Sequence, residues 1–168
     1  RKYTVQFGPD VKRAGVPEPL VAEQADDTIS LSTGPLELVT PSNGSAGIGT
    51  VSLNGQTVLD ADETSGAFMV NEAGEHFLGI RDDQAEVVLE EAGPIRATVR
   101  ISGWHVSEAG ERLGKYIIRV HAFRGLPWLR MEHTFVITAD SDEASYRGIG
   151  HHLAFSGYDY VFGTPGIS

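Results

Sequence analysis

Apolar and polar residues alternate over many short stretches of this chain, which is the pattern of half-buried β-strands. The clearest stretch is 95–102, where odd positions are apolar and even positions are polar. Residues 28–32 alternate in the same way, and the segments 116–123 and 128–138 are rich in β-branched and aromatic side chains. Between two further apolar stretches, Asn54-Gly55 is a pair that tolerates the positive φ angles of a type I′ turn, so it predicts a hairpin.

Turn-forming residues occur at short intervals along the chain, and signals for helices are weak. The 20 glycines and eight prolines fit a protein with many turns and argue against a helical bundle. A chain of 168 residues is long enough to bury one hydrophobic core without disulfides. We therefore expect residues 1–168 to form a single all-β domain, a small antiparallel barrel or sandwich of about ten short strands.

The chain is acidic overall but basic in one region. Its net charge of −10 disfavours nucleic acid and anionic membranes as partners. No apolar run approaches the roughly 20 residues that a membrane helix needs, and the absence of cysteine excludes disulfides and thiolate metal sites. Residues 95–138, however, hold seven Lys/Arg and three acids, a net charge of +4, so the rest of the chain carries −14.

The local basic charge falls on three predicted antiparallel strands between 95 and 138. The shortest connection between the last two strands sets Arg119 opposite Glu132 and His121 opposite Arg130. The polar side of the three strands, named here the basic face, consists of Arg96, Arg100, Arg119, His121, Arg130 and Glu132.

The first two of these strands are predicted to be joined by a polar turn at 107–114. This connection sets Tyr116 opposite His105 and Arg100 opposite His121. The apolar residues of both strands then agree on the opposite side of the sheet.

The basic face has two interpretations. It is either a binding surface for an anionic partner such as an acidic, uronate-containing polysaccharide, because guanidinium groups make two-point contacts with carboxylates, or a solvated or interdomain face. In the second interpretation Arg119 and Glu132 form a cross-strand ion pair, and acidic parts of the chain cover the arginines. Alternating exposed charges are the default for an antiparallel sheet, which favours the second interpretation.

Other candidate chemistry is sparse, and we predict no catalytic residue, metal site or cofactor. His133 shares its parity with the apolar residues of its strand, which predicts a hydrogen-bonded core histidine. His151 and His152 are adjacent, so they point to opposite faces and cannot bind one metal together. The acidic loop segments match no calcium-loop pattern, and the chain lacks a nucleophile motif and assignable glycosidase carboxylates.

One catalytic alternative stays open in the basic region. β-Elimination on a uronate needs a base that removes the C5 proton and a cation that neutralises the carboxylate. Tyr116 or His121 could act as the base, and Arg100 or Arg119 could supply the cation.

Several segments of the chain resemble one protein family. The similarity is carried by GPIRATVR at 93–100, KYIIRVHAF at 115–123 and GLPWLRMEHTF at 125–135, and extends to the opening 3–8, the turn 33–36 and the strand 149–153. These segments resemble the N-terminal β domain of the exo-rhamnogalacturonan lyase family and its bacterial YetA-like relatives.

The resemblance implies a fold, a context and a function. It implies a swapped-hairpin (RIFT) barrel, followed in a larger protein by a β-sandwich and an α/α toroid. Family members cleave the rhamnogalacturonan backbone by β-elimination, with catalytic residues expected mainly in the later domains. We therefore expect a non-catalytic, structural N-terminal module of a secreted polysaccharide lyase-like protein. Its expected location is extracellular or periplasmic, and its expected partners are the following domains of the same chain. The alternative is a carbohydrate-binding module that binds an acidic glycan through the basic face.

Overall fold

The computed structural model describes residues 4, 6–12, 15–42, 47–60, 66–138, 140 and 145–155, and these residues form an all-β domain. Twelve strands build two antiparallel sheets, so the predicted all-β class is confirmed, with two strands more than the expected number. One 3₁₀ helix at Gly79–Arg81 is the helical element of the described part of the chain. Within those residues no helix is long and apolar enough to cross a membrane.

The first sheet is a five-stranded meander. Asn54 and Gly55 have φ angles of 49° and 79°, as the predicted turn requires, and join the last two strands. The strands, in sheet order, are β1 (Val21–Ala25), β2 (Thr28–Ser32), β3 (Leu36–Pro41), β4 (Thr50–Leu53) and β5 (Gln56–Leu59).

The second sheet has seven strands and curls into a half-barrel. Its strands are β6 (Gly66–Asn71), β7 (His76–Leu78), β8 (Glu86–Ala92), β9 (Arg96–Val106), β10 (Arg112–Phe123), β11 (Leu129–Val136) and β12 (Tyr146–His152). The sheet order is β11-β10-β9-β7-β6-β12, and β8 pairs with β9 outside this path. The rings of His133 on β11 and His151 on β12 lie 5.5 Å apart, although these strands are the two opposite edges of the sheet. We call the region between β11 and β12 the seam.

One hydrophobic cluster joins the two sheets. Ile29 and Leu38 of the first sheet and Val99, Ile101 and Ile118 of the second are fully buried in it. Burying an aliphatic side chain of this size contributes about 1.5–3 kcal/mol. The core between the sheets therefore fixes the orientation of β9 and β10, whose opposite side carries the basic face.

Candidate functional site

All six residues of the basic face lie on the outer side of β9, β10 and β11. Arg119 lies opposite Glu132 and His121 opposite Arg130, as predicted. The two arginines of β9 share this side, because side chains of a strand alternate and those of paired residues point the same way.

The predicted register between β9 and β10 is wrong by two residues. Tyr116 lies opposite Gly103 instead of His105, and Arg100 lies opposite Arg119. The turn between the strands spans 107–111 instead of 107–114, because β10 begins at Arg112, inside the segment that was predicted to be the turn. A shift of two residues moves each side chain along the strand and leaves it on the same face, so the composition of the basic face is unchanged.

On its β9 side, His121 consequently lies opposite Thr98 instead of Arg100. Its Nδ1 lies 2.9 Å from the Oγ1 atom of Thr98, and its Nε2 lies 3.7 Å from an oxygen of Glu132. Its side chain is only 12% exposed. The contact with Thr98 occupies Nδ1, one of the two ring nitrogens of His121, which is a candidate base in the lyase alternative.

Glutamates of β8 lie against the basic face and pair with its arginines. Arg119 donates two hydrogen bonds of 2.7 and 2.9 Å to Glu90, and the first cause of the lowered pKa of Glu90 is this contact. The predicted ion pair of Arg119 with Glu132 is therefore replaced by one with Glu90. The other ion pairs are Arg100–Glu86 at 2.9 Å, Arg96–Glu91 at 2.6 Å and Arg130–Glu132 at 2.7 Å.

Every arginine of the basic face thus has a carboxylate partner. β8 pairs directly with β9 but lies outside residues 95–138, so its acidic residues do not enter the net charge of +4 for that region. A hairpin between β8 and β9 brings the acidic residues that precede the turn at 93–94 onto this face. These residues are the sequence signal that could have predicted the pairing.

A cavity of about 300 Å³ opens at the other end of the same outer face. We call it the Trp104 cavity. The Lys115 ammonium lies 4.6 Å from the centroid of the Trp104 ring, and the Arg112 guanidinium lies 5.7 Å from it. The cavity is lined by Asp82, Gln84, Arg100, Ser102, Gly103, Trp104, Lys115, Tyr116, Ile117 and Val136.

Asp82 fixes the inner wall of this cavity. It follows the 3₁₀ helix, is almost completely buried, and accepts hydrogen bonds of 2.7 and 3.2 Å from the backbone N–H groups of Trp104 and Gln84. A Cβ atom on Gly103 would lie 2.7 Å from both Asp82 Oδ2 and the Tyr116 hydroxyl. The wall therefore requires glycine at this position.

Tyr116 lies below the cavity and is unsuited to act as a base at neutral pH. It is fully buried, and its hydroxyl donates a 3.5 Å hydrogen bond to the carbonyl of Gly79. Burial and the Asp82 carboxylate raise the pKa of the phenol above its ordinary value. The geometry therefore gives no support to Tyr116 as the base of the lyase alternative.

The interior of the half-barrel contains three histidines. His133 faces the interior as predicted, but its buried Nε2 has no hydrogen-bond partner among the described residues. Burial lowers the pKa of His133 and of His151 to about 4, and it also lowers the pKa of His105. No group of metal-ligating side chains within the described residues is arranged to hold a metal ion.

A family model described as "PcRGLX-like protein central beta sandwich domain" matches residues 20–159 of the chain. The match spans both sheets, from the residue before β1 to beyond β12. The comparison with curated proteins gave no match. The description is of a central domain, so the expected N-terminal position is not confirmed by it.

Proposed function

This chain belongs to the PcRGLX-like central β-sandwich family, which is rhamnogalacturonan lyase-like, and we propose that it serves such a protein as a non-catalytic structural module. The observation that carries the proposal is the position of its exposed apolar side chains. Among the described residues, five of the ten large ones lie on the edge strands β11 and β12 or just beyond their ends and outside the Trp104 cavity, so half of the large exposed apolar side chains lie at the seam. We call them the seam surface: Trp128, Met131, Ile137, Ile149 and Phe155.

An apolar groove of about 220 Å³ lies beside the seam surface. It is lined by residues of both sheets together with Met131 and Phe155. β11 is also an edge strand, so one row of its backbone N–H and C=O groups lacks a strand partner within the described structure. Apolar exposure beside an unpaired strand edge is typical of a docking surface.

We propose that a neighbouring domain of the same chain covers the seam surface. The matched family is described as a central domain, which supports flanking domains in the parent protein. Phe155, the last residue that the structure describes, lines the apolar groove and pairs with Leu59, so the described part of the chain ends beside the seam.

Hydrogen–deuterium exchange of the parent protein and of residues 1–168 tests this role. The amides of β11 should exchange more slowly in the parent, while those of β1, the edge of the other sheet, should exchange equally in both proteins. Met131→Lys should release the protection of β11, and Val21→Lys serves as the matched control because Val21 is an exposed apolar residue of β1. Equal exchange of β11 in both proteins would rule out the proposed docking.

Binding of an acidic glycan through the basic face is the second candidate function. Its support is the row of four arginines and His121 along one sheet face of an acidic chain. Affinity electrophoresis with pectic and other uronate polysaccharides at two salt concentrations tests it, because contacts between exposed charges weaken with salt. Arg130→Ala is the informative variant, since its side chain is 64% exposed. An unchanged shift in this variant would remove the basic face as the binding surface.

We also propose that the parent protein is exported to an extracellular or periplasmic location. The support is the family's polysaccharide-processing character, since a long polysaccharide cannot enter a cell intact. Fractionation of cells that express the parent protein tests the location, and recovery from the cytoplasm alone would contradict it.

A further inference from the structure

The outer face of β9 and β10 has unequal charge pairing at its two ends. The arginines of the basic face have carboxylate partners, whereas none of the ion pairs among the described residues includes Lys115. The Arg112 guanidinium lies 3.8 Å from Asp82, whose carboxylate already accepts two backbone hydrogen bonds. The Trp104 cavity therefore has positive charge beside it that is not fully neutralised, from Lys115 and, in part, from Arg112.

The shape of the Trp104 cavity suits a small ligand. Its volume of about 300 Å³ is at the lower end of the roughly 300–1,000 Å³ of ligand pockets. Gly103 contributes no side chain to its wall, and Asp82 fixes the backbone of Trp104 through the 2.7 Å hydrogen bond. The wall is therefore formed before a ligand binds, which lowers the entropic cost of binding.

The lining combines three kinds of contact. Lys115 supplies a cation without an ion pair among the described residues, whereas Arg100 is already paired with Glu86. Gln84 and Ser102 supply hydrogen-bonding groups, although Gln84 Oε1 accepts from Arg112 and Ser102 Oγ from Arg100. The partly exposed Trp104 ring lies with Ile117 and Val136 as an apolar wall. A pyranose ring has C–H faces that pack on aromatic rings and hydroxyls that bond to amides and alcohols. A carboxylate on the ring would complement the lysine ammonium.

We propose that the Trp104 cavity is a binding subsite for one carboxylate-bearing sugar, a uronate unit of an acidic glycan. The location of the subsite follows from the cavity and its charges, and the choice of a glycan rests on the second proposed function. Lys115 contacts the carboxylate, and Trp104 packs against the sugar ring. The basic face then lies along the path of the chain that extends from this subsite.

NMR titration of the 168-residue chain with digalacturonate tests the proposal, with galactose and acetate as comparison ligands. The amides of β9 and β10 around the cavity should shift with digalacturonate at much lower concentration than with either comparison ligand. Lys115→Gln should weaken binding at least about tenfold, because it removes a charged contact. Arg130→Gln is the matched control on the basic face and should change binding less than about twofold.

The other outcomes separate the cavity from the second proposed function. Loss of binding in Arg130→Gln but not in Lys115→Gln would place the glycan on the basic face and overturn the cavity subsite alone. Equal affinity for acetate and digalacturonate would show a carboxylate site without sugar recognition, which contradicts the proposal. No response to digalacturonate from the folded chain would overturn the subsite, while polysaccharide binding in electrophoresis would still decide the second function.

Discussion

The two ends of the outer face differ in what the neighbouring strand supplies. At the basic face, β8 places Glu86, Glu90 and Glu91 against arginines of β9 and β10. At the Trp104 cavity the neighbouring element is the 3₁₀ helix, which is followed by the buried Asp82, and Lys115 has no ion pair in the described structure. The number of cations in a segment therefore does not locate available positive charge, because the adjacent strand decides whether each cation is neutralised.

Acid should destabilise the fold most strongly, and the cause lies in the interior histidines. His133 and His151 have folded pKa values of about 4, below their ordinary value of 6.5, so the unfolded chain binds more protons between these pH values. Their contribution is present above pH 6.5 and is lost as the pH falls towards 4, on the order of 3 kcal/mol for each histidine and 6 kcal/mol in total. Urea unfolding measured from pH 8 to pH 4 checks this expectation.

This pH window sets the conditions for comparing the two ends. Binding experiments belong above pH 6.5, where loss of the fold does not mimic loss of charge. A double variant, His133→Phe with His151→Phe, should flatten the loss between pH 6.5 and 4. A full loss retained in that variant would contradict the assignment to these two residues.

Removing the anchor of the cavity should have the next largest effect. Asp82→Ala leaves the backbone N–H groups of Trp104 and Gln84 without their acceptor, and we expect a loss of about 3 kcal/mol. Asp83→Ala is the adjacent control, because Asp83 is exposed, and should change stability by less than about 0.5 kcal/mol. Urea unfolding of both variants makes the comparison, and equal losses would show that Asp82 is not an anchor.

Adding a methyl group to the cavity wall at Gly103 should destabilise the domain less than removing the Asp82 carboxylate. The methyl group of Gly103→Ala would meet Asp82 Oδ2 and the Tyr116 hydroxyl at 2.7 Å, so we expect a loss of about 1–3 kcal/mol. Gly15→Ala is the control, since a Cβ atom there has no neighbour within 4 Å. Thermal unfolding compares the two variants, and a neutral Gly103→Ala would mean that the wall can move.

Breaking the charge balance of the basic face should have the smallest effect on stability and a visible effect on binding. Glu90→Gln removes the carboxylate that holds Arg119, at a cost of about 0.2–1 kcal/mol because the pair is partly exposed. It should also strengthen retention by uronate polysaccharides in affinity electrophoresis at low salt. Glu23→Gln on β1 changes the net charge equally and should leave retention unchanged. Equal retention of both variants would argue against a role for local pairing.

The sequence predicted the faces of the strands better than their neighbours. Alternation assigns Ile101 to the core and Arg100 to the outside in either register, because a two-residue slip preserves parity. The register itself depended on the length of the turn at 107–111, which composition did not define. Asn54-Gly55 was recognised because its turn chemistry is local.

The candidate site was only half predictable for the same reason. The basic face was found because its residues lie on consecutive strands. The cavity was missed because Asp82 and Gln84 come from a segment some 20 residues before Trp104 and meet it through one tertiary hydrogen bond. Trp104 lies partly exposed beside Lys115, and nothing in the residues next to it in the sequence indicates that distant contact.

The open seam has a practical consequence for handling the domain alone. Among the described residues, one row of β11 backbone groups has no strand partner next to Met131, which is 37% exposed. Such an edge can pair with the same edge of a second copy. Concentrated solutions of the isolated domain should therefore self-associate, whereas the parent protein should not. A lysine at position 131 would act as a gatekeeper against this aggregation and yield a better-behaved reagent for the binding experiments.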